Sequence, residues 1–138
     1  MSIQKRDLIA IRNYMPDDRA FVLATWLRGI FYGDTWFSQI PKNIFMEHYH
    51  NILEKFLDNP SITIKVACLK EDPEVILGYS VSRVSRGQVV LDWVYVKKPW
   101  RKIGVAKSLV PENLQAVSHL TKLGSSIKPN TVVFNPFL

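Results

Sequence analysis

Between residues 61 and 96 the chain runs through three β-forming segments with only short turns between them, and this constrains the fold more than any other feature. Ser61 to Leu69 alternates Ile62, Ile64, Val66 and Cys68 with Thr63, Lys65, Ala67 and Leu69, the two-residue period of a strand. Glu71-Asp72-Pro73-Glu74 is a turn, and Val75 to Ser85 and Val89 to Val96 are two further β-rich runs joined through Arg86-Gly87. Connections this short reverse the chain, so an antiparallel three-stranded meander is predicted.

Helices and further strands flank the meander. Residues 7 to 14 form a first strand, closed by Pro16-Asp17-Asp18, whose carboxylates cap the positive end of a helix running to about Phe31. Phe21, Ala24, Leu27 and Phe31 share a stripe of that helix, with Val22, Trp26 and Ile30 beside it. Pro41 suits the first turn of a second helix, carried by Ile44, Phe45, His48, Tyr49, Ile52, Leu53 and Phe56 and stopped by Asp58-Asn59-Pro60. After the meander, Ile103 to Val110 has a helical period, which Pro111 kinks or ends. Gln115 to Leu120 is a short strand or a continuation of the helix, and Thr131 to Phe134 is a final strand. No repeat, low-complexity tract or long linker divides the chain. One α+β domain over residues 1–138 is expected, with the order β-α-α-β-β-β-α-β and a mixed, mainly antiparallel central sheet flanked by helices.

Composition narrows the partners. With 138 residues, 47% of them apolar, and one cysteine, a core can form without disulfides, and disordered or disulfide-stapled classes are excluded. No run approaches the roughly 18 to 20 apolar residues of a membrane span, so a soluble, cytoplasmic protein without a membrane partner is expected. The net charge of +6 is unevenly distributed: residues 1 to 74 carry 9 basic and 10 acidic side chains, whereas 75 to 138 carry 9 basic residues and only Asp92 and Glu112 as acids. The densest cluster is Lys97, Lys98, Arg101, Lys102 and Lys107, a local field attractive to phosphates.

That cluster lies in the segment most informative about chemistry, Val94-Tyr95-Val96-Lys97-Lys98-Pro99-Trp100-Arg101-Lys102-Ile103-Gly104-Val105-Ala106. A buried strand ends, a basic loop follows, and a glycine and a small residue open a helix. Backbone N–H groups then face whatever lies beyond the strand, an outline suited to a pyrophosphate. Gly104 lets the backbone approach a phosphate, Ala106 keeps the first turn uncluttered, and Arg101 and its lysine neighbours add charge.

Arg101-Lys102-Ile103-Gly104-Val105-Ala106 resembles the coenzyme A loop of the GNAT (N-acetyltransferase) superfamily, Arg/Gln-x-x-Gly-x-Gly/Ala after the fourth strand. Tyr95-Val96 and the element order match the same family. Ile76-Leu77-Gly78-Tyr79, Val94 to Pro99, Ser118 to Lys122 and Phe134 to Phe137 resemble short bacteriophage-encoded GNAT-like proteins. The resemblance implies acetyl-coenzyme A as cosubstrate, lying where the fourth and fifth strands splay. Its pantetheine would follow the backbone of Val94, Tyr95 and Val96. Its pyrophosphate would take the N–H groups of Lys102, Ile103, Gly104, Val105, Ala106 and Lys107, with Arg101 beside them. An amine of unidentified nature would attack the thioester directly, and the Val96 N–H would polarise its carbonyl.

Three residues are candidates for proton transfer. Asp92 is the only carboxylate between Glu74 and Glu112 and stands in an apolar strand; its parity is opposite to that of Tyr95, which favours an ion-paired or solvent-facing role. His119 would flank the splay if it lies on the fifth strand. Tyr95 itself is a packing residue or an acid, and no tyrosine follows it to serve as the acid on a later helix. That last feature keeps a second expectation open, a catalytically reduced GNAT-fold binding protein, virion-associated or part of a phage structure. A homodimer is compatible with either reading. Nucleic acid is a less favoured partner, because no stacking platform accompanies the charge. With one cysteine and no clustered carboxylates, a metal site is not expected.

Overall fold

The structure, a computed structural model, describes residues 4–33, 35–111, 113–118 and 133–134. Four strands, β1 (Ile9–Asn13), β2 (Ile62–Leu69), β3 (Ile76–Ser85) and β4 (Gln88–Val96), pair antiparallel in sequence order. The β3–β4 hairpin turns on Arg86 and Gly87, whose φ values of +52° and +77° are the two left-handed positions that a two-residue type I′ turn requires. Beyond β4 the sheet continues in parallel: β5 (Ala116–Val117) pairs with β4, and β6 (Val133–Phe134) pairs with β5. The expected mixed, mainly antiparallel sheet is present.

α1 (Arg19–Gly33) and α2 (Lys42–Leu57) cover one face of this sheet. The buried stripe of α1 is Val22, Leu23, Trp26, Leu27, Ile30 and Phe31. It is centred one position away from the expected stripe: Ala24 faces solvent and Phe21 is half-buried. Alanine offers too little apolar area to decide which way a helix turns, and the indole of Trp26 decides it instead. On α2, Phe45 and Leu53 are buried while Ile44 and Ile52 are exposed. Pro41 flanks the helix, one residue before its first turn.

The entry to α1 is held by a polar clamp. Asp18 accepts two hydrogen bonds from the Arg12 guanidinium (2.8 and 2.9 Å) and one from the Met15 N–H (2.8 Å), which ties β1 to the 3₁₀ turn (Pro16–Asp18) before the helix. These bonds, the arginine's first, hold the Asp18 carboxyl below the usual aspartate range.

The opposite face carries α3 (Val105–Leu109), which packs Val105 and Leu109 against Ala67, Leu77 and Val96. The Ser80 hydroxyl donates to the Leu109 carbonyl at 2.9 Å and satisfies one of the acceptors left open at the helix end. α3 is shorter than the expected Ile103 to Val110, because Gly104 stands in the left-handed region at its start and Val110 is extended at its end. No helix among the described residues is long and apolar enough to cross a membrane.

Candidate functional site

Among the described residues β4 is paired on both sides only over its first half. Its partners on β5 are Val90↔Ala116 and Leu91↔Val117, and the Ser118 N–H donates to the Leu91 carbonyl at 3.1 Å. From Asp92 onward, β3 alone pairs with β4 among the described residues. The Lys97 N–H donates to the Leu77 carbonyl (2.8 Å), which makes these two a hydrogen-bonded pair. In an antiparallel ladder such pairs alternate with pairs whose polar groups point outward. Val94 and Val96 are therefore the residues whose N–H and C=O groups face the fork between β4 and β5.

A bulge lies at the root of this fork. Val81 faces Trp93 and Ser82 faces Leu91, so Asp92 is the extra residue on β4. A bulge bends its strand and raises the local twist. It also suspends the alternation from which the side of Asp92 was expected. The carboxylate accepts Arg83 Nε at 2.8 Å, Arg83 Nη2 at 3.1 Å and Ser118 Oγ at 2.5 Å, and the residue is 2% exposed. The Arg83 guanidinium in turn lies over the Phe56 ring of α2, 5.8 Å from its centroid.

At the open end of the fork the chain turns through a 3₁₀ turn (Lys98–Trp100) into the basic loop. Arg101 Nε donates to the Val96 carbonyl at 2.8 Å, so this side chain folds back onto the strand it follows. Lys102 and Gly104 both have positive φ, +67° and +89°. A Cβ built on Gly104 would meet nothing within 4 Å, so the space beside this turn is open. The N–H groups of Val105, Ala106 and Lys107 precede the first bond within α3, from the Ser108 N–H to the Gly104 carbonyl (3.1 Å). Arg101, Lys102 and Lys107 are exposed and Lys97 is half-buried. The N-terminal segment braces the loop from outside: Lys5 Nζ donates to the Pro99 carbonyl and lies 4.7 Å above the Trp100 ring.

On the α1 side the end of β4 presents Tyr95, half-buried between Phe21 (6.0 Å, edge-on) and Tyr79 (5.7 Å). Lys97 Nζ lies 5.2 Å over the same Phe21 ring. Tyr79 is fully buried; its hydroxyl meets Thr25 Oγ1 at 2.7 Å and donates to the Val22 carbonyl at 3.0 Å. Burial pushes its ionisation well above the usual tyrosine range, against the opposing hydrogen bond with Thr25. Trp93 stacks on Trp26 with ring centroids 6.2 Å apart, so the position two before Tyr95 is filled by packed indoles.

The expected site residues from Asp92 to Lys107 thus line one continuous stretch of strand, loop and helix start. His119 lies outside the described residues. Arg83 and Ser118 belong at the root of the fork and were not singled out from sequence. Arg83 is a lone cation in an alternating strand, and only the bulge brings it and Ser118 to one carboxylate. Among the described residues no group of three or more His, Cys, Asp or Glu side chains could hold a metal ion.

No family model matches this sequence, and no curated protein matches it. Its fold does match solved structures. A GCN5-related N-acetyltransferase from Ralstonia eutropha superposes with a TM-score of 0.65 and 13% identity, covering 89% of this chain and 94% of that one. A Pyrococcus furiosus chain described as an acetyl transferase gives a TM-score of 0.64 and 11% identity over 92% and 81% of the two chains. A Staphylococcus aureus chain described as a GNAT-family acetyltransferase gives 0.51 and 15% over 72% and 82%. At these identities the likeness is one of fold, and the chain has the GNAT fold. These archaeal and bacterial neighbours lend nothing to the narrower resemblance to phage-encoded chains.

Proposed function

We propose that the protein transfers an acetyl group from acetyl-coenzyme A to an amine. The observation that carries this reading is the fork: a β4 edge at Val94 and Val96, which no strand but β3 pairs among the described residues, runs directly into a basic turn with left-handed residues at 102 and 104. An extended amide-bearing chain adds to such an edge through backbone hydrogen bonds, and a pyrophosphate suits the turn beyond it. The open space beside Gly104 and three exposed cations within three residues of it in the chain, Arg101, Lys102 and Lys107, support the coenzyme reading.

In this reading the outward groups of Val94 and Val96, with the backbone of Tyr95 between them, hold the pantetheine. The N–H groups of Lys102 to Lys107, including Ile103, Gly104, Val105 and Ala106, hold the pyrophosphate, and Lys102 and Lys107 add charge. Arg101 is the corner brace, since its Nε is engaged by the Val96 carbonyl. The coenzyme supplies an activated thioester. The chain's part is to fix that acyl carbon beside an amine and to offer the Val96 N–H to the oxygen on which charge develops.

Proton transfer falls to Tyr95 and His119. The Tyr95 hydroxyl has no hydrogen-bond partner among the described residues and stands on the α1 side of the fork. Asp92, the third candidate, has its carboxylate taken up by Arg83 and Ser118 and serves as a holder of geometry. Calorimetric titration with acetyl-coenzyme A, followed by a thiol-release assay over a panel of primary amines, tests the proposal. Saturable binding with amine-dependent thiol release is expected. Absence of binding at millimolar coenzyme rejects the site, and binding without thiol release for any amine rejects catalysis.

A further inference from the structure

The groups at the root of the fork are more than a local ion pair. Asp92 is the bulged residue itself, so its position sets where β4 bends. Arg83 grips it from β3, and Phe56 of α2 backs the guanidinium. Ser118 grips it from the end of β5, one residue beyond the last register pair, while its own N–H makes the last described backbone bond to β4. Three strands therefore meet at a single buried carboxylate, at the last described pairing of β4 with β5, and a helix backs its arginine partner. A buried ion pair gains little net stability over well-packed apolar side chains, whereas it fixes geometry through directed bonds.

We infer that the Asp92 carboxylate is the latch that fixes where β4 and β5 part, with Arg83 and Ser118 as positioning residues for the open edge at Val94 and Val96. The latch rests on the fork itself; its consequence for ligand binding rests on the coenzyme reading proposed above. Without the Ser118 hydroxyl the carboxylate keeps its charge partner but loses its tie to β5, so the strands separate earlier and the edge beyond them shifts.

The test uses the full chain and the variants Ser118→Ala, Ser118→Thr and Asp92→Asn. Ser118→Ala removes one oxygen and leaves the Arg83–Asp92 pair intact, so it keeps the question open to experiment if Asp92→Asn, which leaves the half-buried Arg83 guanidinium without its charge partner, fails to fold. By amide hydrogen exchange, the N–H at position 118 should exchange at least ~10-fold faster in Ser118→Ala, with β2–β3 amides unchanged and protection restored in Ser118→Thr. Acetyl-coenzyme A affinity should fall by about tenfold in Ser118→Ala and recover in Ser118→Thr, since a displaced edge misplaces the ligand. Unchanged protection at position 118, or an acceleration shared equally by β2 and β3, overturns the latch. Equal coenzyme affinity in wild type and Ser118→Ala overturns its role for the edge. Wild type that fails to bind coenzyme overturns the coenzyme reading instead, and the exchange result then decides the latch alone.

Discussion

Gly78 on β3 stands so close to Tyr95 on β4 that a Cβ added to it would lie 2.4 Å from the Tyr95 carbonyl oxygen and 3.1 Å from the Val96 Cα. Both obstacles are backbone, which cannot swing aside as a side-chain tip can. Gly78→Ala therefore pushes β4 off β3 beside the edge that faces the fork. A loss of about 1–3 kcal/mol in urea unfolding is expected, in the range of overpacked cores, together with weaker acetyl-coenzyme A binding by calorimetry. Wild-type stability in this variant would show that the two backbones separate freely.

Gly29 offers a test in which two effects have opposite sign. In a helix interior, alanine is favoured over glycine by roughly 0.5–1 kcal/mol. A Cβ at this position would, however, lie 2.4 Å from Trp93 Cζ2 and 3.0 Å from Cη2, and that ring is pinned against Trp26. The contact should win, leaving Gly29→Ala about 1–2 kcal/mol less stable and altering tryptophan fluorescence. A stabilised variant with unchanged fluorescence would mean that the indole pair yields to the methyl group at no cost.

Much of this arrangement was legible in the sequence where local chemistry forces it. The two-residue period of Ile62 to Cys68 and the Arg86-Gly87 turn specify a meander because side-chain alternation and left-handed φ are local demands. Gly104 was legible as a residue that lets the backbone approach a phosphate, whereas its left-handed φ came from the structure. The bulge was not, because no residue type marks it. Parity counted back from Tyr95 gave Asp92 an ion-paired or solvent-facing role, and the ion pair is what forms, but nothing local named Arg83 as the partner. β5 is two residues long, and its existence depends on a neighbour 26 positions away rather than on its own pattern. The shift of the α1 stripe has a third cause: helical period names a set of faces, and the largest side chain, Trp26, selects among them.

Gly104 separates loss of the fold from loss of the ligand. Its φ of +89° penalises any L-residue, yet a Cβ there meets no atom within 4 Å. Gly104→Ala should cost about 1–2 kcal/mol from backbone strain alone and remain folded. Gly104→Glu should be folded likewise, by circular dichroism, while acetyl-coenzyme A binding is abolished by a carboxylate placed against the pyrophosphate. Coenzyme affinity equal to wild type in Gly104→Glu would put the binding site elsewhere on the molecule.

The Arg12–Asp18 clamp sets an acid limit on stability. Both groups are shielded, with side-chain exposures of 18% and 6%, and the Asp18 carboxyl is held below its ordinary value of 3.8 by Arg12, with the Met15 N–H adding to the effect. A carboxyl depressed on folding contributes stability that is fully present above its unfolded pKa and is lost as pH falls through the folded one. Wild type should therefore lose melting temperature progressively below about pH 4, as the carboxyl leaves its ordinary range. Asp18→Asn, which cannot carry the charge, should start about 1–2 kcal/mol less stable at neutral pH and show a shallower decline in that window. Melting curves of both proteins between pH 2.5 and pH 7, at one ionic strength, measure the difference. Parallel declines would assign the acid sensitivity to other carboxylates and reduce the clamp to a packing contact.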